Sequence, residues 1–283
     1  MRRGNLPRWA GVLAYAAAME LVTSRGKFEA LDAEKGTPLV LIHGFPFCSA
    51  SWRADAAGLA PAIRVIAPSM RGFGGSAPFE GNAGASIDAM ADDLAGVLDA
   101  LALVEPVVVG GLSMGGYVAL SFARRHPTRL RGLVLADTRA EPDSDEARAS
   151  REKAIARVGG GDLTGFVDAL LPTLLAPSTR ADRPAILASL REMALRAEPT
   201  AVLRVLRAMR DRPDARPGLA AIAVPVLVVV GEEDALTPPA SSRAMVSKLP
   251  NANLCVIPRA GHMTNLEQPE VFRAALREFV ERL

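Results

Sequence analysis

Cysteine is nearly absent from this chain: Cys48 and Cys255 are the only two in 283 residues. They have neither metal-ligand spacing nor a disulfide framework, so the fold is not built on oxidation and two buried thiols are expected. Histidine is scarce too, at three. Any imidazole chemistry must therefore use His43, His126 or His262. An excess of charge of one sign is also missing. The 33 basic and 31 acidic residues leave a net charge of +2, and no long block of like charges occurs. That argues against a nucleic-acid surface or a charged tail. No run of about 18 apolar residues is present, which argues against a membrane-spanning helix. No internal repeat or low-complexity segment is visible.

What is present suits one large domain with a sizeable core, since 49% of the residues are hydrophobic and 23% charged. Residues 1–18 read as an N-terminal extension. Arg2 and Arg3 precede an alanine-rich apolar stretch, which predicts a helix and weakly resembles an export signal. The expected location is cytoplasmic, with export as the alternative if that stretch acts as a signal.

From Met19 onward, short apolar strands alternate with helical patterns. Strands are expected at 19–23, 27–31, 38–43, 63–67, 106–109, 130–137, 224–230 and 253–257. Helices are expected at about 51–59, 86–103 (capped by Ser86), 117–126 and 269–283. Residues 139–216 break the alternation. They contain no convincing strand, carry many arginines and read as helices near 144–158, 162–171, 181–197 and 200–210. The expectation is an α/β fold: a mostly parallel sheet with helices on both faces, built from residues 19–138 and 217–283, with 139–216 inserted as a helical cap.

The chemistry centres on Gly-Gly-Leu-Ser-Met-Gly-Gly at 110–116. Ser113 lies between a buried strand and a helix, with Gly111 and Gly115 two residues to either side. Such a turn is a nucleophile elbow. The backbone is forced into a sharp bend where a Cβ would clash, and the serine is exposed at the positive end of a helix dipole. A serine hydroxyl needs a base, and the base an orienting acid. His126 reads as a helix C-cap and His43 as loop structure. His262 follows the last strand in Ala-Gly-His and is the expected general base. Asp234, after the 224–230 strand, is the expected acid; Glu232, Glu233 and Asp137 are rivals. The backbone N–H groups of Phe45 and Met114 are the expected oxyanion donors. In open parallel sheets ligands bind beyond the carboxyl ends of the strands, and Phe45, Ser113, Asp234 and His262 all fall there.

The motifs His-Gly-Phe-Pro (43–46), Arg-Gly-Phe-Gly-Gly-Ser (71–76), Gly-Leu-Ser-Met-Gly-Gly (111–116), Gly-Glu-Glu-Asp-Ala-Leu-Thr-Pro (231–238) and Gly-His-Met-Thr-Asn-Leu-Glu-Gln-Pro-Glu (261–270) resemble the landmarks of α/β-hydrolase-fold serine hydrolases. The likeness runs from about Met19 to Leu283, and Ser…Asp…His is that fold's order. The Asn-Leu-Glu-Gln-Pro segment and the helical cap are similar to small carboxylesterases and the 3-oxoadipate enol-lactonase branch. His-Gly-Phe-Pro is also similar to the cofactor-free haloperoxidases, esterases with perhydrolase side activity. One departure is Ser69-Met-Arg-Gly, where the fold usually has Asp-x-Arg-Gly. Ser113 instead of aspartate argues against dehalogenases and epoxide hydrolases, and Met114 argues against proline iminopeptidases.

The resemblance implies a hydrolase of small or medium carboxylic esters working through an acyl-serine, with no cofactor and no metal. Its partner would be a small-molecule ester or lactone. Two alternatives stand beside it. An enol-lactonase acting on an anionic lactone is motivated by arginines of the inserted region such as Arg191, Arg196, Arg204 and Arg207. The other is a non-enzymatic small-molecule binding protein on the same fold.

Overall fold

Eight strands hydrogen-bond into one sheet in the order β1-β2-β4-β3-β5-β6-β7-β8 in the computed structural model, which describes residues 17–79 and 85–283. β1 (Ala17–Thr23) and β2 (Gly26–Asp32) form an antiparallel hairpin, and β2 also pairs antiparallel with β4 (Ile63–Pro68). From β4 onward the pairing is parallel, through β3 (Thr37–Ile42), β5 (Val107–Leu112), β6 (Leu130–Ala136), β7 (Val226–Gly231) and β8 (Ala252–Ile257). Every residue of β5 and of β7 is buried. Strands covered on both faces have no polar side to show, which is why these segments read as unbroken apolar runs. The expected α/β architecture with a mostly parallel sheet is the one observed. The expected extension over residues 1–18 falls outside the described residues, except that residues 17 and 18 already belong to β1.

The helices cover both faces. They are α1 (Arg53–Leu59), α2 (Ile87–Ala100), α3 (Met114–Arg125), α9 (Pro239–Val246), α10 (Thr264–Glu267) and α11 (Pro269–Glu281). Ser86 caps α2, its Oγ accepting the Ala89 N–H at 3.0 Å. Between β6 and β7 the chain is helical without a strand: α4 (Asp145–Gly159), α5 (Leu163–Leu170), α6 (Pro177–Asp182), α7 (Pro184–Leu195) and α8 (Pro199–Arg210).

Proline accounts for much of what differs from the sequence reading. Pro177, Pro184 and Pro239 each stand at the first turn of a helix, where the missing N–H costs nothing and the fixed φ helps. The helix expected at 181–197 takes in the end of α6 and all of α7, and α9 has no counterpart among the expected helices. Glycine accounts for another difference. The elbow strand continues through Gly110 and Gly111 to Leu112 because a Cβ on Gly110 would come within 2.8 Å of Leu41 and 3.0 Å of Val134 on the flanking strands. α3 then starts at Met114, so Ser113 alone forms the junction.

The unusual Ser69 is compensated from a neighbouring strand. The Glu29 carboxylate on β2 accepts hydrogen bonds from Ser49 Oγ (2.6 Å), Ser69 Oγ (3.2 Å) and the Gly75 N–H (2.7 Å). A carboxylate thus still anchors the glycine-rich 71–76 turn, but β2 supplies it. Cys48 and Cys255 are free and half-buried, less enclosed than the sequence suggested. Among the described residues, no helix is long and apolar enough to cross a membrane.

Glu29→Ala leaves the buried Ser49 and Ser69 hydroxyls without this acceptor. It is expected to destabilise the fold by about 2–3 kcal/mol, measured as a lowered urea midpoint with an unchanged slope. Stability equal to the parent protein would show that water replaces the carboxylate.

Candidate active site

Ser113 sits between β5 and α3 with φ 57° and ψ −113°, a backbone region that residues with a side chain adopt only under constraint. Two glycines make room for it. A Cβ on Gly111 would lie 2.0 Å from the Gly115 carbonyl oxygen, and one on Gly115 would lie 2.2 Å from that of Ile42. The second contact brings the start of α3 against the end of β3. The loop after β3 follows, and a Cβ on Gly44 would be 3.7 Å from Ser113 Cβ. The Phe45 and Met114 segments, from different strands, therefore flank the same serine.

His43 holds this loop from behind. Its Nδ1–H donates to the Gly44 carbonyl at 2.9 Å, and its Nε2 accepts the Met70 N–H at 2.9 Å. Only the neutral ring with the proton on Nδ1 satisfies both. Complete burial pushes its pKa down to about 4. His126 occupies the α3 C-cap position, but its imidazole Nε2 pairs with Asp92 of α2 at 3.0 Å.

His262 lies in the turn after β8. Its Nε2 is 2.7 Å from Ser113 Oγ, and its Nδ1 is 2.8 Å from Asp234 Oδ2. Asp234 follows β7 and is locked in turn. Its Oδ1 accepts the N–H groups of Leu236 and Thr237, both at 2.9 Å, and its Oδ2 accepts Thr237 Oγ1 at 2.6 Å. The structure thus brings Ser113, His262 and Asp234 into one hydrogen-bonded line. The rival carboxylates are placed elsewhere. Glu232 and Glu233 are exposed. Asp137, after β6, accepts from the Gly231 N–H at 2.9 Å and from Thr264 Oγ1, and so ties β6 to β7 and to the segment after His262.

The electrostatics follow from burial and pairing. Burial by itself would lower the His262 pKa, but the Asp234 charge and its hydrogen bond, with Asp137 and Glu267 behind, hold it above the ordinary imidazole value. Burial opposes ionisation of Asp234, yet His262 and Thr237 hold its carboxyl below the usual range. Burial and the nearby Asp234 charge push Asp137 up. Two neighbouring carboxyls are thereby driven apart in acidity, the one beside the imidazole the more acidic. A serine hydroxyl bonded to a raised-pKa imidazole, with anion-friendly N–H groups at a helix start, is an arrangement able to form and stabilise an acyl-transfer intermediate.

The residues that sequence reasoning passed over are Thr237, Thr264 and Glu267. All three lie inside the motifs quoted above, and only a threonine or glutamate in a tight turn hinted at them. The four arginines that motivate an anionic substrate do not converge, whereas Arg139, Arg151 and Arg212 meet on Asp143. Arg191 pairs with Asp168 at 2.6 Å, Arg196 pairs with Glu192, Arg204 donates to the Phe79 carbonyl, and Arg207 is exposed. Among the described residues no group of three or more His, Cys, Asp or Glu is placed to hold a metal ion.

A family model described as the alpha/beta hydrolase family matches residues 39–275, and the chain belongs to that family. Within it, the chain is similar to esterases. It shares 40% identity with a thermophilic esterase from Thermogutta terrifontis, over 94% of this chain and 99% of that one, with a TM-score of 0.87. It is 34% identical over 198 residues to a pimeloyl-(acyl-carrier protein) methyl ester esterase of Neisseria meningitidis serogroup A, a stretch covering 69% of this chain and 62% of that protein. The enol-lactonase of Burkholderia xenovorans LB400 shares the fold, with a TM-score of 0.84 at 23% identity over 93% of this chain.

With only three histidines, side-chain NMR can follow each. His262 is expected to titrate above about 6.5 and His43 to stay neutral at that pH. A His262 midpoint below the ordinary value would contradict the charge arrangement described.

Proposed function

We propose that this protein is a serine hydrolase that cleaves small or medium carboxylic esters through an acyl-serine intermediate. The observation that carries this reading is the line Ser113 Oγ–His262 Nε2 at 2.7 Å and His262 Nδ1–Asp234 Oδ2 at 2.8 Å, at the carboxyl ends of three strands. Ser113 is the nucleophile. Its Oγ attacks the ester carbonyl carbon while His262 Nε2 takes the hydroxyl proton. Asp234 holds the ring in the tautomer with Nδ1–H and stabilises the imidazolium. The oxyanion accepts the N–H groups of Phe45 and Met114. His262 then returns the proton to the departing alkoxide as the C–O bond breaks. A water, deprotonated by the same nitrogen, attacks the acyl-serine, releasing the acid and restoring Ser113 Oγ–H.

Residues 139–216 form a helical cap over this site. Three contacts support that reading: Phe166 of α5 lies 6.2 Å from Phe45 between ring centroids, the His262 N–H donates to Leu174 O at 2.9 Å, and Arg204 of α8 donates to the Phe79 carbonyl. Phe45 is packed edge-on against Phe73 and tilted against Phe166 of α5, so apolar side chains surround the proposed oxyanion loop. Of the four arginines that motivate an anionic lactone, Arg191 and Arg196 are already ion-paired, which supports an ester as the substrate.

The test is a panel of p-nitrophenyl esters and lactones assayed with the parent protein and Ser113→Ala. Ser113→Ala is expected to lower ester turnover by about 10³-fold or more with the fold intact by circular dichroism. Unchanged ester hydrolysis would overturn the assignment. Turnover of an anionic lactone well above that of every ester would replace the ester reading. Tight binding without turnover would make this a binding protein.

A further inference from the structure

Glu267 takes no part in the chemistry above, yet it is fully buried, at 0% exposure. Its Oε1 accepts the N–H of Gly261 at 2.9 Å and that of Met263 at 3.2 Å, the residues on either side of His262. Its Oε2 accepts the N–H of Ala176 at 2.8 Å, from the chain inserted between β6 and β7. The His262 N–H itself donates to Leu174 O at 2.9 Å. Arg183 adds another tie, donating to the Glu267 main-chain oxygen at 2.6 Å and to Thr179 Oγ1 at 3.2 Å. Gly261 sits where these segments cross. A Cβ there would come within 2.6 Å of Ala176 N, 2.9 Å of the Leu175 carbonyl carbon and 3.1 Å of Glu267 Oε1.

We propose that Glu267 is the positioning residue for His262: one carboxylate fixes the backbone on both sides of the imidazole and fastens the 174–176 segment of the inserted helices to that loop. This inference rests on the reading of His262 as the general base. The physical reason is donor count. Three N–H groups converge on two oxygens with no solvent to replace them, and charge-assisted bonds of this kind are short and directional. An imidazole that must meet Ser113 at 2.7 Å and Asp234 at 2.8 Å tolerates little drift, since a misplacement of about 1 Å can cost about 10²-fold in rate. A second consequence concerns substrate entry. The 174–176 edge of the insertion cannot swing away without releasing His262, so opening must occur elsewhere along it. Glu267 also contributes to the field on His262, together with Asp234 and Asp137.

The test is steady-state hydrolysis of p-nitrophenyl acetate across pH for the parent protein, Ser113→Ala, Glu267→Gln and Glu267→Asp, with active sites counted by titration with an organophosphonate. Glutamine offers one acceptor oxygen and turns an amide NH2 toward a donor. Glu267→Gln is expected to lower kcat per titrated site by about 10–100-fold with KM little changed. The base must be neutral to act, and removing a negative charge lowers its pKa. The acid limb of kcat/KM therefore moves to lower pH in Glu267→Gln. Glu267→Asp keeps the charge and shortens the reach, so it is expected to lower kcat with the acid limb unmoved, and it carries the test alone if the glutamine variant does not fold. Normal kcat per titrated site in the folded variants, with only the number of sites reduced, would confine Glu267 to folding and overturn the inference. Unchanged activity in Ser113→Ala would instead sink the reading of the site itself.

Discussion

The site depends on one strained residue. Ser113 is held at φ 57°, and such a conformation costs about 1–3 kcal/mol wherever a side chain is present. It persists because β5 is fully enclosed and α3 is buried from Met114 to Ala123, which leaves the junction no alternative path. Gly111 and Gly115 provide the space, and the Ser113 N–H and carbonyl are both occupied. The N–H donates to Ala136 O at 2.9 Å, and the carbonyl accepts Thr138 Oγ1 at 2.8 Å. The same bend that strains the backbone lifts the hydroxyl above the sheet and aims the first free N–H groups of α3 at the same point in space.

Carboxyl groups, three of them buried and Glu29 half-buried, do the remaining work of assembly. Glu29, Asp137 and Glu267 gather backbone N–H or hydroxyl donors from other segments, and Asp234 gathers those of its own turn. Loops have no ladder of their own to satisfy their backbone groups, and buried donors left alone are costly. A carboxyl that accepts several of them turns a set of separate turns into one rigid surface. Charge is used selectively within this set. Asp234 is kept ionised by His262 and Thr237, whereas burial and the Asp234 charge push Asp137 toward its neutral form. The proposed orienting acid is thus the carboxyl whose surroundings favour the anion.

Much of this was legible beforehand because parallel strands are covered on both faces and write unbroken apolar runs into the sequence. Each of the eight expected strands corresponds to an observed one, with shifts at the ends. The elbow strand was read as ending at Val109 because glycine is a poor strand former in isolation, while in the sheet the neighbouring Leu41 and Val134 require it. The helices of the insertion were located but divided wrongly, since proline starts a helix as readily as it ends one. Chain order pointed to His262 and favoured Asp234 over its rivals, and the structure sets both in one line with Ser113. It could not distinguish a carboxylate that contacts the imidazole from Asp137, which follows a strand in the same manner.

By itself, the sequence determined the class of fold, the strand–turn–helix context of Ser113 and the short set of residues able to act with it. Those properties are local: apolar period, glycine spacing and the position of polar residues after strands. Tertiary structure decided which carboxyl meets His262, which strand replaces the missing Asp-x-Arg-Gly carboxylate, how the inserted arginines are neutralised, and how Glu267 joins the insertion to the histidine loop. Each of these is a contact between residues far apart in the chain. Ala176 and Glu267 are 91 positions apart, and Ser113 and His262 are 149. Hydrogen bonds act over about 3 Å, and no sequence pattern records a distance that only the folded sheet creates.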